Sequence, residues 1–415
     1  MHIYPLPAIY VSMAREKRSD DFFAKVLSLK DPWAVLNVTL SDDASRTDLS
    51  VGVRYGRKVR CPECGQWCHV HDRVKRTYRH LDVCESECYV TAEIPRTKCD
   101  RCGILQLKTP WARGYVSYTD AFERKAMSLL RSMPISKVAE AMRVGPWVIE
   151  GMMENHVRNA LDRMDLSSVK NILLDETSSK RGHRYITVIA DADTKKIIFM
   201  SDGRGADSLE KFSVWLSGRN GNANNIRTVC CDFSKPFLSG LNRHFPNADI
   251  VYDRFHLVKM ANDAMDKIRA KNQMNGQRHK WIRFTLMRNR KNLSDDDKQK
   301  IFDIKNDNIV IGKAYEMKES LIQLYDYLDA DSAEEHIKHW LNWVNEEGEG
   351  PMRSLGRTVS RHLKKILNWF SGKRSNGFLE GLNGMIQTTK RIGRGYPNTA
   401  NFISMIYFRH GRLDA

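Results

Sequence analysis

The chain has 415 residues, of which 41% are hydrophobic and 28% charged, with a formal net charge of +17. This balance excludes an intrinsically disordered chain and predicts two to four domains with sizeable cores. No run of about 18 apolar residues is present, which excludes a helical membrane span, and the excess of Lys and Arg points to a polyanionic partner such as nucleic acid.

The opening residues Met1-His-Ile-Tyr-Pro5 lack the basic and apolar regions of a signal peptide. With no export signal, nine cysteines favour metal binding over disulfides, and a cytoplasmic location is expected. Residues 1–57 read as a small α/β lead-in. A helix is predicted over Asp20 to Leu29, with strands over Val35 to Leu40 and Leu49 to Tyr55.

Residues 58–112 carry two C-x-x-C-G knuckles, Cys61/Cys64 and Cys99/Cys102, separated by 34 residues that alternate like strands. Each turn aims two thiolates at one point, and the Gly after the second Cys permits the tight turn. Four such ligands predict a closed, structural Zn2+ site that supplies folding energy to a small segment. Cys68, His69, His71, Cys84 and Cys88 lie between the knuckles as further potential ligands or ordinary ribbon residues, with Cys84 and Cys88 expected to be partly buried.

Residues 118–165 read as three helices: Ala121 to Arg131, Ile135 to Met142, and one opened by Pro146 that runs to about Arg163. A helix, a short turn at Val144-Gly145 and a second helix form the helix-turn-helix pattern of major-groove binding. Arg143 and Trp147 flank the turn and are the residues expected to meet DNA.

Residues 170–256 follow the order β-β-β-α-β-α-β. The first strand ends in the acidic pair Asp175-Glu176, and the fourth and fifth end in Asp232 and Asp253. Three antiparallel strands followed by two parallel ones match an α/β fold of the ribonuclease H-like kind, with the first and fourth strands adjacent. Residues 257–372 are expected as an all-helical insertion, with Asp295 to Asp297 as a solvated loop.

Residues 373–415 return to the core. Asn376 is a plausible N-cap, and Glu380, Asn383, Gly384 and Gln387 fall on one face of the following helix. Lys390, Arg391 and Arg394 form a basic, Gly-rich loop suited to phosphate contact.

Asp175, Asp232 and Glu380 together suit two Mg2+ (or Mn2+) ions, which need few protein carboxylates and assist phosphoryl transfer. Asp191, Asp193, Glu176 and Asp253 stay open as alternative acids at this stage. A zinc-dependent DNA-binding regulator without catalysis and a ribonuclease H-like nuclease are the other functions that these motifs fit.

Leu174-Asp175-Glu176 with Lys180 to Tyr185, Asp253-Arg-Phe-His256 after Asn247-Ala248, and Asn376 to Asn383 resemble the ISL3 family of bacterial insertion-sequence transposases. The paired knuckles and the helix-turn-helix share this resemblance, which covers nearly the whole chain from about residue 20. It implies a DDE transposase that binds terminal inverted repeats and moves its element by cut-and-paste, cleaving strands and joining them to target DNA. Its acidic triad then falls on Asp175, Asp232 and Glu380, and its D-x-x-H signature on Asp253 and His256. Double-stranded DNA is the implied partner, bound by a homodimer that pairs two element ends.

Overall fold

Apolar alternation in the first third of the chain builds one sheet. The computed structural model describes residues 20–180, 182, 184–272, 279–372 and 376–413, and the chain divides into two units, Met1–Met152 and Met153–Ala415. In the first unit, helix α1 (residues 20–26) precedes β1 (Trp33–Leu40), β2 (Arg46–Val53), β3 (Val59–Arg60), β4 (Trp67–Arg79), β5 (Glu87–Cys99) and β6 (Gly103–Gln106). The sheet order is β1-β2-β5-β4-β3, with β6 on β5.

The parallel pairing of β2 with β5 joins the stretch expected as a separate lead-in to the knuckle-bearing strands. Leu49 and Val51 of β2 bury against Tyr78, Val90, Ala92, Ile94 and Trp111 in one cluster. A two-stranded lead-in has too little apolar surface to stand alone, so it completes the ribbon sheet. Residues 1–19 of that expected lead-in lie outside the described residues.

Three helices follow: α2 (Asp120–Leu130), α3 (Ile135–Ala141) and α4 (Pro146–Asp162). The Thr119 hydroxyl caps α2 by accepting from the N–H of Phe122 at 3.3 Å. Pro146 opens α4, where its missing N–H costs nothing. Between α3 and α4, Arg143 adopts a left-handed φ of 53° and turns the chain.

The second unit is built on β7 (Asn171–Lys180), β8 (Arg184–Asp191), β9 (Ile197–Asp202), β10 (Thr228–Cys231) and β11 (Asp249–Tyr252), in the order β11-β10-β7-β8-β9. β7, β8 and β9 pair antiparallel, while β10 is parallel to both β7 and β11. Helices α5 (Ala206–Ser217) and α6 (Lys235–His244) make the crossovers. This order agrees with the sequence expectation. β7 runs further than expected, because β8 continues to pair with it to Lys180 after β10 has ended. Asp175 is therefore the fifth residue of a ten-residue strand rather than its terminus. Arg181 and His183, which the motif reading used, lie outside the described residues.

From Asp253 to Asn376 all described elements are helical: α7 (Arg254–Lys271), α8 (His279–Met287), α9 (Asp295–Asp307), α10 (Ile309–Gln323), α11 (Ala330–Glu347), α12 (Gly350–Arg361), α13 (Leu363–Leu367) and short 3-10 turns. The expected loop at Asp295 to Asp297 is instead the first turn of α9. Ser294 caps it by accepting from the N–H of Asp297 at 3.2 Å, and the three carboxylates sit at the positive end of the helix dipole. The chain then returns through α14 (Gly377–Ile392) and α15 (Thr399–His410). Leu379, Leu382 and Ile386 on one face of α14 enter the same core as Ile172 to Leu174.

Candidate active site

Strand register brings three aspartates level. β10 pairs with β7 as Val229 to Ile172 and Cys230 to Leu173, so two further residues set Asp232 level with Asp175. β10 pairs with β11 as Cys231 to Tyr252, and one further residue sets Asp232 level with Asp253. The N–H of Asp253 donates to the Cys231 carbonyl at 3.0 Å, which carries the ladder past the strand end. Parallel strands place register-matched side chains on the same face.

Helix α14 lies over these positions. Asn383 donates through Nδ2 to Asp175 Oδ2 at 2.8 Å, and Gln387 donates through Nε2 to Thr177 Oγ1 at 3.0 Å. The polar face expected from the i, i+3, i+7 spacing is therefore the face that meets β7. Asn376 differs from the expectation. Its side chain makes no capping bond and instead donates through Nδ2 to the Leu174 carbonyl at 3.1 Å, fully buried. Its backbone N–H donates to Asp253 Oδ1 at 3.2 Å.

The acids crowd one another. Burial raises the pKa of Asp175, with the Asp232 charge adding to it, while the N–H of Glu176 and the Asn383 amide oppose the rise. Glu176 is pushed up to about 7, first by burial and then by Asp232. Burial and then the Asp253 charge raise Glu380. His256 is raised by its Nδ1 contact with Asp253 Oδ2 at 3.3 Å and by the surrounding acids, against the effect of its own burial. Oδ1 of Asn376, Oε1 of Glu380 and Oδ1 of Asn383 are all buried without a hydrogen-bond partner among the described residues. Buried oxygens without donors, beside carboxylates that repel one another, fit a cation. The acids are spread more widely than a single ligand sphere: among the described residues, only the four knuckle cysteines bring three or more ligand atoms within 4.8 Å of one another.

The alternative acids separate on geometry. Asp191 pairs with Ile172, three residues back along β7, and its carboxylate serves its own turn through the N–H groups of Asp193 and Thr194. Asp193 accepts from Asn171 at 2.8 Å. Both are bound at the far end of β7. Glu176 and Asp253 remain with the central group.

At the knuckles, Cys61, Cys64, Cys99 and Cys102 have all their sulfurs within 4.8 Å, with Cys64 and Cys99 at 3.6 Å. Zn–S bonds of about 2.3 Å in a tetrahedron require sulfurs about 3.8 Å apart, so the set fits a structural zinc ion. Gly65 and Gly103 follow the knuckles with φ of 74° and 79°, the left-handed turn that this spacing needs. The N–H groups of Cys102 and Arg101 point at Cys99 and lower its thiol to about 6. Cys68 is buried beside the group with its Sγ on the Gln66 carbonyl at 3.4 Å. Cys88 is buried in the sheet core, whereas Cys84, expected to be partly buried, is exposed at a left-handed turn position with φ of 57°.

The residues expected to meet DNA divide by partner. Trp147 is 73% exposed in the first turn of α4. Arg143 is exposed and donates through Nη1 to the Glu85 carbonyl at 2.7 Å. Lys390 reaches the Ser178 carbonyl at 3.4 Å, and Arg391 bonds within its own helix. Arg394 is exposed with φ of 53°. The buried roles of Asn376 and Asn383 left a sequence signal only in their spacing from Glu380.

A family model described as "Transposase" matches residues 172–406. A helix-turn-helix domain of transposase family ISL3 matches residues 107–157, and the zinc-finger of transposase IS204/IS1001/IS1096/IS1165 matches residues 57–102. The transposase for insertion sequence element IS1001 of Bordetella parapertussis is 27% identical over 387 residues, covering 90% of this chain and 94% of the relative. The transposase for insertion sequence element IS1557 of Mycobacterium tuberculosis is 24% identical over 394 residues, covering 88% of each chain.

Proposed function

We propose, from the premise that this chain belongs to the ISL3 family of insertion-sequence transposases, that its five-stranded unit is a ribonuclease H-like core that cleaves DNA strands at the element ends and joins them to a target. The observation that carries this reading is the level placement of Asp175 and Asp232 on neighbouring strands beneath the unpartnered Glu380 Oε1.

Asp175, Asp232 and Glu380 would hold the ions, with Asp253 and Glu176 as adjoining acids. Two bound divalent ions, Mg2+ or Mn2+, would supply activation of the attacking oxygen and neutralisation of the leaving one. Asn383 fixes the carboxylate of Asp175 through its 2.8 Å bond. Asn376 anchors the start of α14 to β7 and to Asp253, which sets where Glu380 stands. His256, held by Asp253, brings a positive charge to a scissile phosphate or orients a water. The nucleophiles are water and then the freed 3′-hydroxyl, so no protein side chain is consumed.

The helix-turn-helix, through Trp147, and the zinc ribbon recognise the terminal inverted repeats, and a homodimer pairs the two ends on DNA in the cytoplasm. Structural zinc at Cys61, Cys64, Cys99 and Cys102 keeps the ribbon folded.

The test is to incubate the protein with a duplex carrying the element ends, a second target duplex and Mg2+ or Mn2+. Cleavage followed by joining supports the reading. Cleavage without joining assigns a nuclease, and binding alone assigns a regulator.

A further inference from the structure

Helix α12 buries Met352, Leu355, Gly356 and Val359 and turns its other side to solvent. A Cβ on Gly356 would meet Val344 Cγ1 of α11 at 3.1 Å, so the buried side is closely packed and the helix cannot easily roll. The exposed side carries Arg353, Arg357 and Arg361 at successive i, i+4 positions, followed by Lys364 and Lys365. From Gly350 to Gly372 there are five Arg or Lys residues and no Asp or Glu. None of the five has an ion-pair partner among the described residues, while neighbouring Lys271 pairs with Glu349.

This stripe leads to the strand ends. His362, the C-cap of α12, lies 3.2 Å through Nδ1 from the Tyr252 hydroxyl and packs edge-on against Phe233 and Tyr252. Phe233 follows Asp232 and Tyr252 precedes Asp253. Asn368 donates through Nδ2 to the Ile250 carbonyl at 2.9 Å, which holds the segment after α13 against β11. Lys235, at the start of α6, completes the approach: burial lowers the His362 imidazole, and Lys365, Arg361 and Lys235 all add to that effect.

We propose that Arg353, Arg357, Arg361, Lys364, Lys365 and Lys235 form a track for the phosphate backbone of duplex DNA, leading one strand to Asp232. Charge complementarity identifies the occupant. An i, i+4 step rises about 6 Å, close to two phosphates at about 3.4 Å per strand along the duplex axis. Arginine suits this task because its planar fork binds phosphate oxygens in pairs. Delivery to Asp232 rests on the catalytic reading above; the DNA contact itself does not.

The experiment measures binding of the full-length, zinc-loaded protein to a fluorescent duplex without added Mg2+ or Mn2+ across a salt series. The variant is Arg353→Gln/Arg357→Gln/Arg361→Gln, with the triple Lys variant as control and thermal melting to verify the fold. Loss of three phosphate contacts makes the log–log salt slope shallower by about 2.7. About fortyfold of the salt-driven loss between roughly 50 and 200 mM then disappears. The triple Lys variant keeps most of the slope. An unchanged slope in the folded Gln variant overturns the proposal. An unchanged slope with altered self-association also overturns it, and assigns the stripe to a second copy of the chain. Because omitting Mg2+ and Mn2+ removes catalysis from the measurement, failure of the catalytic reading leaves this result intact.

Discussion

The backbone N–H of Asn376 donates to the buried carboxylate of Asp253 at 3.2 Å, across 123 positions of chain. The residue just after β11 thus holds the residue just before the acid-bearing helix α14. The helical excursion between them begins and ends at one point, and Glu380 stands one helical turn beyond it, its N–H donating to the Asn376 carbonyl at 2.9 Å.

Asn376→Ala removes the side-chain bond to the Leu174 carbonyl but leaves the backbone bond to Asp253. A buried hydrogen bond lost with an acceptor left unpaired costs about 1–3 kcal/mol. Urea unfolding should show a lower midpoint. Asn376→Asp should be worse than the Ala variant, because it sets a second carboxylate beside Asp253.

Asn383→Ala frees the Asp175 carboxylate to rotate. Loss of a residue that orients a metal-binding side chain lowers metal affinity or activity by about 10–100-fold. The metal concentration needed for half-maximal cleavage should rise, while duplex binding without added Mg2+ or Mn2+ stays as in the wild type. Equal loss of that binding would show that Asn383 acts on DNA rather than on Asp175.

Much of this site was legible in the sequence, because an apolar run followed by Asp recurs at Asp232 and Asp253 and parallel neighbours bring such ends level. The i, i+3, i+7 polar face of α14 was legible for the same geometric reason. The mid-strand position of Asp175 was hidden, since strand length depends on how far β8 continues alongside β7. The interior role of Asn376 was hidden too: an Asn before a helix resembles a cap wherever it lies, and only packing reveals that its amide meets a strand carbonyl. Asp295 to Asp297 misled by local polarity, which suits a helix N-terminus as well as a loop.

Purified protein should carry one tightly bound zinc ion. Cys64→Ser or Cys99→Ser should release it and lower the melting temperature, because binding energy there is folding energy. Cys84→Ser should retain zinc, since Cys84 is exposed and lies outside the four-sulfur group. Zinc loss from Cys84→Ser would contradict the assignment.

His80 gives a pH dependence with a defined sign. Its imidazole is buried, with Nδ1 2.8 Å from the Thr119 hydroxyl that caps α2. Burial, then the Arg79 charge, lowers its pKa below the ordinary 6.5. The unfolded chain therefore binds a proton first as pH falls, and the stability carried by neutral His80 is lost below 6.5. Full-length protein should melt progressively lower as pH drops through that value, and His80→Asn should weaken the dependence. An unchanged pH profile in that variant would remove His80 as the cause.

The most direct measurement is strand cleavage and joining by Asp232→Asn. The substituted side chain keeps the oxygen that accepts from the N–H of Ser234 at 3.0 Å, so the local turn should persist. Binding to element ends without added Mg2+ or Mn2+ should equal that of the wild type, with cleavage and joining reduced to background when Mg2+ or Mn2+ is present. Cleavage at the wild-type rate by Asp232→Asn would contradict it.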